Sequence, residues 1–276
     1  MRVGVVGLGL IGGSIGLAAR HAGHSVAGFD INNSNVESGL DKGIIDVKTA
    51  TVEEVVSGAD VVFVAVALSH LPTTIASVLD SAPSRCVVTD VGSLKRGVAP
   101  VPADPRFVGG HPLAGGESAG SGGARADLFE GATWYLTPEQ TANEDPLRRL
   151  TDLISGFGAK PVATTPELHD ELMALVSHLP HVFANVLVAQ AAATPLAVDG
   201  VPAIGPSFRD ATRVAGSNSG IWADIYLANR EALSAEIDEA IARLRAVQET
   251  LATGDRDAIA AWNDGAATDR RTLRDR

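Results

Sequence analysis

The fold is decided by Arg2-Val3-Gly4-Val5-Val6-Gly7-Leu8-Gly9-Leu10-Ile11-Gly12, which continues through Gly13 and Ser14 into an apolar stretch ending at Ala22. A short β-branched strand runs straight into G-x-G-x-x-G, and the pattern behind it predicts a helix over Ser14–Ala22. Gly7 permits the tight turn, Gly9 lets the backbone approach a pyrophosphate, and Gly12 lets helix and strand pack closely. The helix N-terminus adds free amides and the positive end of a dipole. Glycine-rich strings are common, so the motif takes its meaning from its setting. Here Asp30 closes a second strand, Ser25–Asp30, about 20 residues downstream. A carboxylate there accepts hydrogen bonds from ribose hydroxyls and repels a 2′-phosphate. Ile31-Asn32-Asn33-Ser34 brings no arginine to hold such a phosphate. Gly7, Gly9, Leu10, Ile11, Gly12 and Asp30 therefore predict a site for NAD rather than NADP.

Beyond Asp30, apolar runs alternate with helical stretches. Asp60–Val66 is apolar on both faces, as a central parallel strand is, and Cys86–Asp90, Arg106–Gly109 and Thr133–Leu136 supply further strands. This alternation predicts a doubly wound sheet with right-handed crossovers. The character changes at Thr164-Thr165-Pro166-Glu167, where Thr165 suits an N-cap and Pro166 the first helical position. No strand pattern follows. Helices are expected over 166–193, 219–229, 231–253 and 255–263, with the glycine- and proline-rich Pro195–Pro206 joining the first two. The expected fold is α/β: a Rossmann-like doubly wound domain over 1–164, then an all-helical domain over 165–276. Such helical domains often bury apolar faces against a second copy, so a homodimer is expected. Gly115–Gly123 is expected to form a loop over a site, and Asp269–Arg276 a solvated tail.

Bulk properties narrow the function classes. The chain has 276 residues, 45% apolar and 20% charged, which excludes a disordered protein. With 22 basic against 33 acidic residues the net charge is −11, which disfavours nucleic acid and anionic membranes as partners. The single cysteine, Cys86, sits in an apolar run and allows no intramolecular disulfide. Glycines interrupt the apolar N-terminus as they would not in a signal peptide, and no apolar run reaches the roughly 18 residues needed to cross a membrane. A cytoplasmic protein is expected.

Seven histidines are few enough to be informative. His111 lies just past the predicted strand Arg106–Gly109, in Gly109-Gly110-His111-Pro112-Leu113-Ala114-Gly115-Gly116-Glu117, at the sheet edge where open α/β folds bind ligands. A buried structural histidine is the plain alternative. His169, His178 and His181 fall on the helix 166–193, where Ser177, His181 and Asn185 share a face and His178 lies three residues from His181. Pro180 interrupts this helix and frees the Val176 carbonyl. A polar stripe of this kind lines a cleft or bonds between subunits. No coordination shell for a metal is completed nearby. Arg209 and Arg213, four residues apart, suit capture of a carboxylate, with Arg209 expected to be neutralised by Asp210 or another acid.

Taken in order, Gly7–Gly12, Asp90-Val91-Gly92-Ser93-Leu94-Lys95, Gly110-His111-Pro112-Leu113-Ala114-Gly115, Ser177-His178-Leu179-Pro180-His181 and Phe208-Arg209-Asp210-Ala211-Thr212-Arg213 resemble the prephenate dehydrogenase family, which includes the arogenate dehydrogenases. The resemblance covers nearly the whole chain. It implies oxidative decarboxylation of prephenate to 4-hydroxyphenylpyruvate in tyrosine synthesis, with arogenate as the alternative small-molecule substrate. It further implies that His111 accepts the substrate's 4-hydroxyl proton while Ser93 holds His111 and the nicotinamide. Arg213 would bind a substrate carboxylate, and Ser177, His178 and His181 its polar ends. One departure is visible: Val66-Ala67-Leu68 lacks the proline the family usually places at about Ala67.

Overall fold

The computed structural model describes residues 1–116, 120–138, 144–193 and 204–274. It divides into two compact units, Met1–Asn229 and Arg230–Arg276.

The first unit begins with five parallel strands, β1 (Arg2–Val6), β2 (Ser25–Phe29), β3 (Val47–Lys48), β4 (Val61–Val64) and β5 (Val87–Asp90), in the order β3-β2-β1-β4-β5. Helices α1 (Leu10–His21), α2 (Asn33–Asp41), α3 (Val52–Val56) and α4 (Leu71–Ser81) connect them. Alternation along β4 sends Val61 and Phe63 into one apolar core, and Val62 and Val64 into another. A sheet covered on both faces explains why β4 reads as an unbroken apolar run and why β5 is buried throughout.

The later strands do not extend this sheet as one parallel array, contrary to the expected alternation. β6 (Val108–Pro112), β7 (Thr133–Pro138) and β8 (Lys160–Ala163) form a separate sheet, antiparallel between β6 and β7 and parallel between β7 and β8, with α5 (Glu144–Gly156) before β8. It joins the parallel sheet through a bridge between Val88 and Phe107. β8 is an edge strand, which is why it tolerates Pro161 and why sequence reading passes over it.

His111 also differs from expectation. It lies within β6, opposite Tyr135, not in a loop beyond the strand. The glycines that suggest a loop serve close packing instead: a Cβ on Gly110 would stand 2.7 Å from the Asp90 carbonyl oxygen.

Thr165 caps α6 (Pro166–Met173) by accepting a bond from the Leu168 amide at 3.2 Å. The chain continues as a π-helical turn, Ala174–His178, and then α7 (Leu179–Ala193). Pro180 has no amide to offer the Val176 carbonyl, and the helix absorbs that loss as a widened turn instead of ending. By length and composition Pro166–Ala193 is apolar enough to cross a membrane, with a mean hydropathy of 1.7, against the expectation that no run qualifies. It nevertheless carries buried His169, Asp170, His178 and His181. α8 (Pro206–Thr212), a 3₁₀ turn at Arg213–Gly216 and α9 (Ser219–Ala228) complete the unit.

The second unit comprises α10 (Arg230–Ala252) and α11 (Arg256–Arg274). α11 extends through most of the expected tail. Asp255 Oδ1 accepts the amides of Asp257 and Ala258 at its start, and Arg270 and Arg271 toward its end suit the negative end of its dipole. Of the expected loops and tail, residues 117–119, 194–203 and 275–276 lie outside the described residues.

Candidate active site

Gly7 adopts φ +97°, and its amide donates to the Phe29 carbonyl at 2.8 Å. A Cβ on Gly7 would collide with the Ala65 carbonyl, and one on Gly12 with the Gly7 carbonyl oxygen. A Cβ on Gly9 would meet nothing within 4 Å. The turn is therefore closed toward the protein at Gly7 and Gly12 and open at Gly9. Gly9 also occupies the N-cap of α1 and offers no side chain to its free amides, with Leu10 and Ile11 opening the helix. Asp30 is held in place: Oδ2 accepts the Leu8 amide and Oδ1 the Asn32 amide, each at 2.8 Å. An open backbone cradle beside a fixed acid fits the pyrophosphate and ribose of a dinucleotide. At the departure from the family pattern, Ala67 takes φ −57°, ψ 148°, a conformation open to proline.

At the end of β5, Asp90 Oδ2 accepts the Gly92 amide at 2.8 Å and Oδ1 the Gly110 amide at 3.1 Å. Buried Lys95 pairs with Asp90 and donates to the Gly110 carbonyl at 2.6 Å, fastening β6 to β5 directly beside His111. Burial lowers the Lys95 pKa, and Asp90 opposes that shift.

His111 itself is the first member of a chain. Its Nδ1 lies 2.9 Å from His169 Nε2, and His169 Nδ1 lies 2.7 Å from Asp170 Oδ1. Asp170 also accepts the Lys95 amide on Oδ1 and the Arg96 amide on Oδ2, each at 2.9 Å. Asn229 completes the network, donating to the Asp170 carbonyl at 2.7 Å while its own Oδ1 accepts Arg96 Nη2 at 2.6 Å. Burial raises the Asp170 pKa, but hydrogen bonds from His169, Arg96 and Lys95 prevail and leave it below the ordinary value. Sequence reading gave His169 no role of its own and passed over Asp170 and Asn229; the sign present at α6 was a histidine followed by an acid.

A second cluster lies along α7 and α9. His181 stacks on Trp222, with centroids 3.6 Å apart and planes 11° apart, and its Nδ1 bonds the Tyr226 hydroxyl. Asn185 shares that face, 3.4 Å from His181 Nδ1, as the spacing predicts. His178 meets Trp222 edge-on and bonds Asn229 at 3.3 Å. Ser177 is half-buried in the π turn, and Ser93 half-buried in the loop after β5. Among the described residues, it is His169 and not Ser93 that bonds His111 Nδ1. Arg213 stands exposed at the start of the 3₁₀ turn, which packs against α7. Arg209 donates to the Ile204 carbonyl at 3.0 Å instead of pairing with Asp210.

Three histidines of the site have lowered pKa values. Burial pushes the His111 pKa well below its usual value, and its neighbours His169, Lys95 and His178 lower it further. Burial also takes His178 down to about 4 and lowers His181, the latter against the Val214 carbonyl. A histidine with a depressed folded-state pKa binds fewer protons than it does unfolded, so stability falls as pH drops below about 6.5. Thermal melts from pH 8 to pH 5 are expected to show Tm level above that point and declining beneath it. A Tm unchanged down to pH 5 would contradict the neutral buried rings.

Comparison with known proteins follows this geometry. Residues 15–163 match the family model described as the prephenate dehydrogenase nucleotide-binding domain, and residues 165–263 that of its dimerization domain. A prephenate dehydrogenase of Bacillus subtilis (strain 168) is 34% identical over 247 residues, covering 85% of this chain and 66% of that relative. A cyclohexadienyl dehydrogenase of Zymomonas mobilis is 30% identical over 92% of this chain and 90% of its own length. The crystal structure of prephenate dehydrogenase from A. aeolicus, in complex with hydroxyphenyl propionate and NAD+, superposes with TM-score 0.89 at 29% identity, covering 99% of this chain and 98% of that one. With both of its halves matched by the family's two domain models, this chain belongs to the prephenate dehydrogenase family.

Proposed function

We propose that the protein catalyses the NAD-dependent oxidative decarboxylation of prephenate to 4-hydroxyphenylpyruvate, the tyrosine-forming branch of aromatic amino acid synthesis, with residues 1–164 binding the cofactor and 165–276 the substrate and a second copy. The observation that carries it is His111, a neutral imidazole fixed at the carboxyl edge of the sheets beyond the glycine turn. Bound at Gly7–Gly12 and Asp30, NAD supplies the hydride acceptor. His111 takes the substrate's hydroxyl proton as hydride leaves the ring carbon. The ring carboxylate departs as CO2, its electron pair makes the ring aromatic, and the proton returns to the phenolic oxygen. Ser93 orients the nicotinamide side of this arrangement. Arg213 engages a substrate carboxylate, a charge that a protein of net −11 must meet locally, and Ser177, His178 and His181 contact the substrate's polar groups.

The exposed apolar side of α7, with Phe183, Val186 and Leu187, supports a homodimer, and an acidic biosynthetic enzyme of this kind belongs in the cytoplasm. NADH formation is expected to be fastest with prephenate and NAD, and slower with arogenate or NADP. Faster turnover of arogenate would reassign the substrate. Arg213→Ala is expected to raise KM for prephenate about 10–100-fold, the value of one charged hydrogen bond, with a smaller change in kcat.

A further inference from the structure

We propose that His169 and Asp170 are positioning residues that fix the tautomer of His111, forming a buried Asp170–His169–His111 proton-ordering chain. The proposal rests on the reading of His111 as proton acceptor and says what makes that ring an acceptor.

A carboxylate only accepts, so the 2.7 Å contact to Asp170 Oδ1 places a proton on His169 Nδ1. His169 is fully buried, where a neutral ring is desolvated at far less cost than a charged one. A neutral His169 ring then presents a lone pair at Nε2. The only hydrogen bond that fits the 2.9 Å contact is donation from His111 Nδ1–H. His111 must therefore hold its Nε2 unprotonated, with that lone pair free to take a hydroxyl proton. The opposite tautomer would make His111 a donor at Nε2 and idle as a base.

Asp170 is well suited to this task because it cannot turn. Both oxygens are occupied by the Lys95 and Arg96 amides, and Asn229 holds its carbonyl. Tyr135 meets the His169 ring edge-on, with centroids 5.4 Å apart, and limits its rotation. The same carboxylate ties down the loop that carries Ser93, so the ring and the cofactor-side loop share one anchor.

Two-bond ¹⁵N–¹H spectra of the whole enzyme, with the His111 signals assigned by their loss in His111→Asn, test the chain directly. The expected result is a His111 ring protonated at Nδ1 alone. In His169→Phe, which keeps a ring but removes the acceptor, an Nε2-protonated population is expected. There kcat should fall about 10–100-fold, part of what general base catalysis supplies, with KM for substrate and NAD within about threefold. His169→Gln, whose carbonyl can still accept from Nδ1–H, should recover part of kcat. A wild-type His111 protonated at Nε2 overturns the proposal, whether or not the variants fold. So does a His169→Phe enzyme with unchanged kcat. If His111→Asn abolishes turnover while His169→Phe does not, the chain fails and the base assignment stands; if His111→Asn is fully active, the base assignment fails.

Discussion

His111→Asn is expected to lower kcat by about 10²–10⁴-fold, the range contributed by a positioned general base, while leaving NAD and prephenate binding nearly intact. The asparagine lacks a basic lone pair, so the hydroxyl proton has no strong acceptor as hydride departs. Binding survives because the glycine turn and Arg213 are untouched, and because the Asp90–Lys95 pair still fastens β6 in place. The informative comparison is kcat against KM: a transition-state contribution appears in kcat and kcat/KM together. A variant turning over at the wild-type rate would remove His111 from the mechanism altogether. Loss of NAD binding in the same variant would mean that β6 had shifted, which a thermal melt would reveal.

The glycine turn supports the second large effect, a contrast between two substitutions three residues apart. Gly12→Ala drives a methyl group into the Gly7 carbonyl, and backbone cannot move aside as a flexible side chain can. Overpacking of this kind costs about 1–3 kcal/mol, and in a chain this long that corresponds to a Tm lower by roughly 2–12 °C. Gly9→Ala adds its methyl to open space, so Tm should move by no more than about 2 °C. That methyl nevertheless occupies the ground a pyrophosphate needs. NAD should bind about tenfold or more weakly, and the thermal shift produced by adding NAD should shrink accordingly. Equal stability losses in the two variants would contradict the geometry of the turn.

Local features of the fold were legible in the sequence, and long-range ones were not. The first strand, the turn and Asp30 lie within thirty consecutive residues, and each states its conformation through glycine placement or β-branching. The pairing of β6 with β7 has no such signature. It joins segments running in opposite directions, and Gly109 and Gly110 mimic a loop where close approach to Asp90 and Thr137 requires them. At the site, His111 stood out through its setting, whereas the ring that orients it is 58 residues away on a helix. Asp90 and Lys95 were in plain view within a quoted motif. Their pairing depends on Lys95 folding back beneath Gly110, which spacing does not disclose. Pro180 signalled a disturbance, but whether a helix ends or widens there depends on the packing around it.

The widened turn at Ala174–His178 limits how this chain can change in length. Loops accept inserted or deleted residues freely, whereas here one residue more or fewer rotates everything downstream by about 100° around the helix axis. Such a change would swing His178 and His181 away from the side on which His169 and Asp170 work, although every functional residue would still be present. The interval from His169 to His178 is thus a measured distance, and the proposed site depends on it as much as on the two histidines at its ends. Relatives that keep these residues but alter that interval are expected to need a compensating change in helical pitch.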